Sequence, residues 1–382
     1  MVGTVFKIGL LNLIFTAYVL LLYLLRREFN TERKISKFIL MMVGLFLVTT
    51  VNTLLFITYT GVIPPEAMSI IILGIREYFI QISFAIAIFL YLRLKPLKYI
   101  LDILFIGIAA NVLMAIVELV KDPTHRISML FPEPSAAGYY YLFIFFIVLH
   151  NYRDKGKYYV SRFFLIIGLA IGSKAQYILL IFVGILKYSS LRGMIMFLLV
   201  TSALVYGFKD KVLAMPEVVY NKYVLDTYLD GGLKNFKEEN RIWGTYVTRV
   251  SGIEGAVRCL YDNPFGIGTG YGLWFSINMP KTGIDNPETN RVIAEYSATA
   301  RSNLLDLFLR TGIFGLLVYL YIGSWFYKIR KKHYYLYQSF IMLTLASLFI
   351  ELNPMFTYLA ILISILEKVK QDKKKDLTNE EA

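Results

Sequence analysis

The side chains that most often bind metals or form disulfides are scarce in this chain: one cysteine, Cys259, and three histidines, His125, His150 and His333. A lone thiol closes no internal disulfide, and histidines so scattered form no ligand cluster. There is no HExxH, no DxD pair, no GxSxG elbow and no Walker loop. Metal-dependent hydrolysis, serine hydrolysis and ATP-driven work are all disfavoured. Charge is scarce as well, at 18% of residues, where a soluble domain carries about 25%. With 57% apolar side chains and a mean hydropathy of +0.57, the chain cannot be a string of soluble domains. Disordered, collagen-like and disulfide-rich classes are excluded by the same composition. Nor is there a convincing internal repeat, which weakens transporter architectures built on inverted repeats.

What is abundant is long apolar sequence. Runs able to cross a bilayer core, which takes roughly 20 residues, lie near 5–25, 38–58, 67–92, 98–120, 138–150, 160–171, 176–188, 193–207, 302–323, 339–350 and 355–366. The expected fold is all-α and polytopic, with about eleven (10–12) transmembrane helices, and either short pair, around Gly172 or Asn353, can be a single bent or re-entrant segment. The net charge of +13 is not a nucleic-acid signal, because the cations sit mostly in short loops. Loops with Arg26, Arg27, Arg33, Lys34 and Lys37, with Arg93, Lys95 and Lys98, and with Arg153, Lys155 and Lys157 fall on one side. Lys187, Arg192, Lys328, Arg330, Lys331, Lys332 and the tail from Lys368 to Lys375 join them. The opposite loops Tyr59–Ala67 and Glu351–Pro354 carry no Lys or Arg. That asymmetry places the N-terminus outside and the C-terminus in the cytoplasm. The first span reads as a retained helix rather than a cleaved signal. One integral membrane domain over 1–366 is expected, with a large extracytoplasmic loop, 208–301, inserted in it. A charged cytoplasmic tail, 367–382, is expected to be disordered.

Within the loop, Asn240–Asp262 has helical periodicity, with Asn240 as a possible cap and Asp262-Asn263-Pro264 as its end. Ile242, Trp243, Tyr246, Val250, Ile253, Val257, Leu260 and Tyr261 share an apolar face suited to the membrane or the bundle. Arg241, Thr245, Thr248, Gly252, Ala256 and Cys259 lie opposite, with Arg249 at the edge. Guanidinium groups so placed suit fork-like contact with phosphate oxygens; equally, Arg249 and Arg258 fit a structural helix whose arginines are solvated. The run Asn263-Pro-Phe-Gly-Ile-Gly-Thr-Gly-Tyr-Gly272 is no dinucleotide fingerprint, since it follows a helix rather than a strand. A tight turn with close backbone approach is expected at Gly266, Gly268 and Gly270.

Arg301-Ser302-Asn303 opens the next span. Asn303, Asp306 and Arg310 share a face there, and Asp306 and Arg310 are spaced as an intrahelical ion pair. Such a pair either locks the helix or lines a site facing the bundle interior. Arg301 lies at a helix N-terminus, where an anion is favoured. Arg76 and Glu77 interrupt the third span roughly 14 Å from its outer end, so at least one is expected to face a cavity. The loop His125–Ser135 combines a base, an acid and a hydroxyl. Gly172-Ser173-Lys174-Ala175-Gln176 breaks an apolar region with a lone lysine, and non-helical backbone at membrane depth belongs against protein or a water-filled cavity.

These segments, in this order, resemble the O-antigen polymerase and ligase superfamily of bacterial envelope glycosyltransferases. Arg126 to Gly138, with its Phe-Pro-Glu-Pro-Ser core, is similar to a loop of many polymerases, and Ser173-Lys174 stands where members often have Ser-Arg. Arg241-Ile-Trp243 followed by Asn263-Pro-Phe-Gly-Ile-Gly268 resembles the family's arginine-tryptophan and glycine-rich segments. Ser302-Asn303 followed by Gly312-Ile-Phe-Gly315 resembles its His-Asn segment. Ser302 departs from the histidine typical of the ligase branch, which favours a polymerase.

The resemblance implies a GT-C-like architecture in the bacterial inner membrane and a substrate of oligosaccharide repeats on polyprenyl diphosphate, serving as donor and acceptor. It implies no metal and no nucleotide or other cofactor. A chain-length regulator and a flippase are implied partners, besides the lipid bilayer itself. The expected catalytic residues are Arg241 and Lys174, as cations facing the leaving diphosphate, and Glu133 as the base. Arg126, Arg249, Arg301, Ser302, Asn303 and Arg76 are the expected substrate-binding residues. Trp243, Trp274 and Tyr271 are candidates to stack on sugar faces, although Trp243 lies on the apolar helix face, which suits a structural role. A ligase, or a flippase or transporter of lipid-linked oligosaccharide, stays open as an alternative.

Overall fold

The structure is a computed structural model. It describes residues 2–25, 36–121, 143, 144, 147, 241–279, 292–349 and 355–380, with backbone alone for 2–9, 24–25, 119, 241–250 and 371–380. The described residues are mostly helical and contain no strand. In chain order the helices are α1 (Val2–Leu25), α2 (Lys37–Thr60), α3 (Pro65–Arg93), α4 (Leu97–Lys121), α5 (Arg241–Asp262), α6 (Tyr271–Asn278), α7 (Asn303–Ile329), α8 (Tyr334–Phe349) and α9 (Met355–Glu380). The expected spans 138–150, 160–171, 176–188 and 193–207 and the break at Gly172 lie outside the described residues, apart from the isolated Phe143, Ile144 and Ile147.

Local chemistry sets the helix limits. Ser36 caps α2 by accepting the Phe38 N–H at 3.3 Å, and Gly61, at φ 75°, ends that helix. Pro64-Pro65 starts α3, with Glu66 in its first turn and Arg93 in its last, each matched to the helix dipole. α9 runs through Glu380, over the segment expected to be disordered. Once a buried span has nucleated the helix, extending it through Lys, Glu and Gln costs little.

Among the described residues, four helices are long and apolar enough to cross a membrane: Lys37–Thr60, Pro65–Arg93, Leu97–Glu118 and Asn303–Ile329. Their outward faces are apolar too, with Leu47 at 56%, Leu113 at 61% and Leu317 at 58% exposure. Water would drive such surfaces together, and a bilayer solvates them. This is a membrane protein.

α3 lies at the centre of the described bundle, packed by α1, α2 and α9, while α7 packs on α2, α5 and α8. Phe38 and Phe89 meet at 5.0 Å, and Phe326 stacks on Phe340 at 4.7 Å. At one end of the bundle Glu367 of α9 pairs with Arg93 at 3.6 Å and accepts from Ser36, while Lys368 donates to the Arg93 carbonyl. Lys37, Lys95, Lys98, Lys328 and Arg330 lie at that same end. The candidate site is near the other.

Candidate functional site

Two motif segments far apart in sequence meet inside the bundle. α7 is broken at Gly312, where φ is 58° and ψ is −144°. The break interrupts the helical hydrogen bonding, and the loop Asn263–Gly270 replaces it. Ile313 N–H donates to the Pro264 carbonyl at 2.9 Å, and Ile267 N–H donates to the Leu309 carbonyl at 2.7 Å. Asn52 of α2 completes the exchange: its Nδ2 donates to the Phe265 carbonyl at 2.7 Å and to the Arg310 carbonyl at 3.0 Å. Every one of these backbone groups would cost several kcal/mol if left open in hydrocarbon. Thr269 then ties the loop to both neighbours, with its N–H on Thr53 Oγ1 at 3.0 Å and its hydroxyl on the Ile71 carbonyl at 2.9 Å.

The glycines permit this approach. A Cβ at Gly266 would lie 2.6 Å from the Gly312 nitrogen, one at Gly268 would overlap Thr53, and one at Gly270 would overlap Phe56. Close backbone approach is thus the role of all three. A Cβ at Gly312 would in turn overlap the Phe265 backbone.

α5 spans Arg241–Asp262, within a residue of the range its periodicity predicts. The bundle, however, takes its small-residue face: Ser251, Gly252, Gly255, Ala256 and Cys259 are buried. The apolar face looks outward, with Val257 at 55% and Tyr261 at 88% exposure. Small residues let neighbouring backbone come close, and Gly252 shows it. A Cβ there would lie 2.8 Å from the Thr299 carbonyl and 3.2 Å from Arg301 Cγ. Burial, with Asp262 nearby, pushes the Cys259 thiol up to about 12, so it stays protonated and unreactive.

The expected sugar-stacking role of Trp274 and Tyr271 does not hold. Both are buried, at 7% and 5% exposure, and their rings stack on each other at 6.3 Å. Tyr271 donates its hydroxyl to the Gly252 carbonyl at 2.8 Å. These rings hold α6 against α5 and present no free face.

The other expected residues divide as follows. Arg126, Glu133 and Lys174 lie outside the described residues. Arg241 and Arg249 lie on α5, described by backbone alone, with Arg241 as its first residue. Arg301, in the left-handed region at φ 52°, lines a small cavity with Ser251, Gly252, Phe275, Val292, Ala298 and Thr299. Ser302 is fully buried. Its hydroxyl accepts the Leu305 N–H at 3.3 Å and donates to the Ser347 carbonyl at 3.0 Å, which caps α7 and ties it to α8. Asn303 and Asp306 open into a second cavity with Tyr78, Gln81, Leu307, Met355 and Phe356.

Arg76 and Glu77 are both exposed, so neither is the residue that faces this cavity. Their neighbour Tyr78 does so, with Gln81 one turn on. Asp306 and Arg310 form the expected pair, Nε to Oδ2 at 2.7 Å, and the guanidinium lies 4.9 Å from the Tyr78 ring centroid. Polar residues three apart within an apolar span, Tyr78 and Gln81, were the signal for this wall, and the adjacent charges overshadowed it. Asn52 and Thr53 were equally visible as polar interruptions of α2.

A scan against models of protein families finds no match to this chain, and a search of the curated proteins finds none either.

Proposed function

We propose that the chain is a membrane glycosyltransferase that polymerises polyprenyl-diphosphate-linked oligosaccharide repeats at the outer face of the bacterial inner membrane. The reading includes about eleven spans, a GT-C-like architecture, an outside N-terminus and a cytoplasmic C-terminus. The observation that carries it is the meeting of resembling segments: Asn263–Gly268 docks on the Gly312 break of the helix that Ser302-Asn303 opens. Segments that resemble one family's motifs and also pack together form a unit rather than a scatter of chance matches.

In this mechanism a hydroxyl of one repeat attacks the anomeric carbon of another. The new glycosidic bond forms as the bond to the lipid diphosphate breaks. The hydroxyl proton passes to a base, for which Glu133 is the candidate, and the diphosphate leaves with the bonding electron pair. Arg241 and Lys174 stabilise the charge growing on it, with Arg126, Arg249 and Arg301 as further phosphate contacts. Arg76 and Asn303 are further substrate contacts in this reading, and Ser302 supports the helix start. A chain-length regulator and a flippase are the expected partners.

The test is in cells. Arg241→Ala and Lys174→Ala are each expected to abolish long glycan while the protein inserts at normal levels. Long glycan unchanged in both would remove the catalytic assignment.

A further inference from the structure

The cavity between α3, α7 and α9 has walls of a particular chemistry. Tyr78 and Gln81 come from α3, Asn303, Asp306 and Leu307 from the first turns of α7, and Met355 and Phe356 from the start of α9. It is a small hollow of ≈ 20 Å³ with an open mouth, room for about one water or one hydroxyl. Phe356 meets the Tyr78 ring edge-on at 5.8 Å. Arg310 crosses that ring and grips Asp306 by Nε and Oδ2. Two buried polar atoms at these walls have no hydrogen-bond partner among the described residues: Arg310 Nη1 and the Tyr78 hydroxyl.

Charge decides what such a cavity takes. Asp306 and Arg310 cancel, so the walls are neutral overall. A phosphate would face the Asp306 carboxylate, and a cation would face the guanidinium behind it. A hydroxyl suits the wall, because it donates to a carboxylate and accepts from an amide N–H at once. Gln81 supplies an amide, Asp306 the carboxylate, and Met355 and Phe356 an apolar side for C–H groups.

We propose that this cavity takes one hydroxyl of a neutral sugar whose ring stays at its mouth. Within the function proposed above, on which this identification rests, that sugar belongs to the acceptor repeat. The cavity is separate from the one that Arg301 lines.

The experiment uses full-length protein in nanodiscs and two probes: the host's repeat-unit oligosaccharide cut from its lipid diphosphate, and inorganic pyrophosphate. Binding is read by saturation-transfer NMR. Wild type is expected to bind the oligosaccharide, with affinity at least about tenfold weaker in Asp306→Asn, the range for a lost hydrogen bond to a charged group, and about two- to tenfold weaker in Gln81→Leu, the range for a neutral one. Pyrophosphate binding is expected to be unchanged in both. Gln81→Leu leaves the Asp306–Arg310 pair whole, so it answers even where Asp306→Asn fails to fold.

Oligosaccharide binding equal in wild type and folded Gln81→Leu, or absent from wild type, overturns the site and leaves a buried water as its only occupant. Pyrophosphate displacing the oligosaccharide in wild type and not in Gln81→Leu overturns the neutral-ligand assignment. The two proposals fail separately. Oligosaccharide binding that depends on Gln81, with no polymer made from the lipid-linked repeat, keeps the site and removes the polymerase. Polymer made, with binding indifferent to Gln81, does the reverse.

Discussion

Single residues here act mainly by what they exclude. Cys259 is 1% exposed and its thiol is held up at about 12 by burial. A maleimide at pH 8 is therefore expected to leave native protein unlabelled and to label it promptly after denaturation in SDS; labelling of the native form would contradict the burial. The sign for stability follows. Above an ordinary thiol pKa of about 8.5 the unfolded chain releases a proton that the folded chain keeps, so this contribution falls as pH rises from there towards about 12.

Ser302 makes a different prediction. Ser302→Ala removes a cap worth about 1 kcal/mol together with the tie to Ser347, while Ser302→Thr keeps the oxygen. Melting of purified protein is expected to drop for alanine and to recover for threonine. An unchanged melt in Ser302→Ala would remove the capping role. Tyr78→Phe deletes a buried hydroxyl with no hydrogen-bond partner among the described residues, so it is expected to leave the melt unchanged or to raise it.

At the scale of elements, the central feature is an exchange of hydrogen bonds between a loop and a broken helix. Gly312→Ala forces a Cβ into the left-handed region and onto the Phe265 backbone. The strain alone costs about 1–3 kcal/mol, so the yield of folded protein is expected to collapse, with Gly268→Ala close behind through its overlap with Thr53. Gly61→Ala shares the positive φ but meets nothing within 4 Å, and it serves as the milder control. Equal yields for Gly312→Ala and Gly61→Ala would show that the loop does not dock as described.

Helices were the legible part of the sequence. Runs read as 38–58, 67–92 and 98–120 became Lys37–Thr60, Pro65–Arg93 and Leu97–Lys121, because length and apolarity mark them directly. α5 was legible through its periodicity and its Asp-Asn-Pro stop. Which face it buries was not: apolar residues are at home in lipid as well as in protein, and close packing chose the small face instead. The exchange between Ile267, Leu309, Pro264 and Ile313 was invisible for a related reason. Backbone groups carry no side-chain signature, and Gly312 reads in sequence as an ordinary tolerated glycine. At the cavity, Asn303, Asp306 and Arg310 were legible by helical spacing. Tyr78 and Gln81 were legible only as polar residues three apart in an apolar span, a signal that the adjacent Arg76 and Glu77 overshadowed.

At the scale of the whole molecule, the described helices form a bundle with apolar outer faces, a basic end around Lys37, Arg93 and Lys328, and a polar cluster near the other end. A polymerase needs this separation, because its lipid-linked substrate must lie in one leaflet with its sugars beyond the hydrocarbon. The most direct measurement is reconstitution of the purified protein with the host's polyprenyl-diphosphate-linked repeat, with chelator present and no nucleotide added, read on a gel. A ladder of polymer, lost in Arg241→Ala, is the predicted result. Unchanged repeat, in protein shown to be folded, would contradict the polymerase.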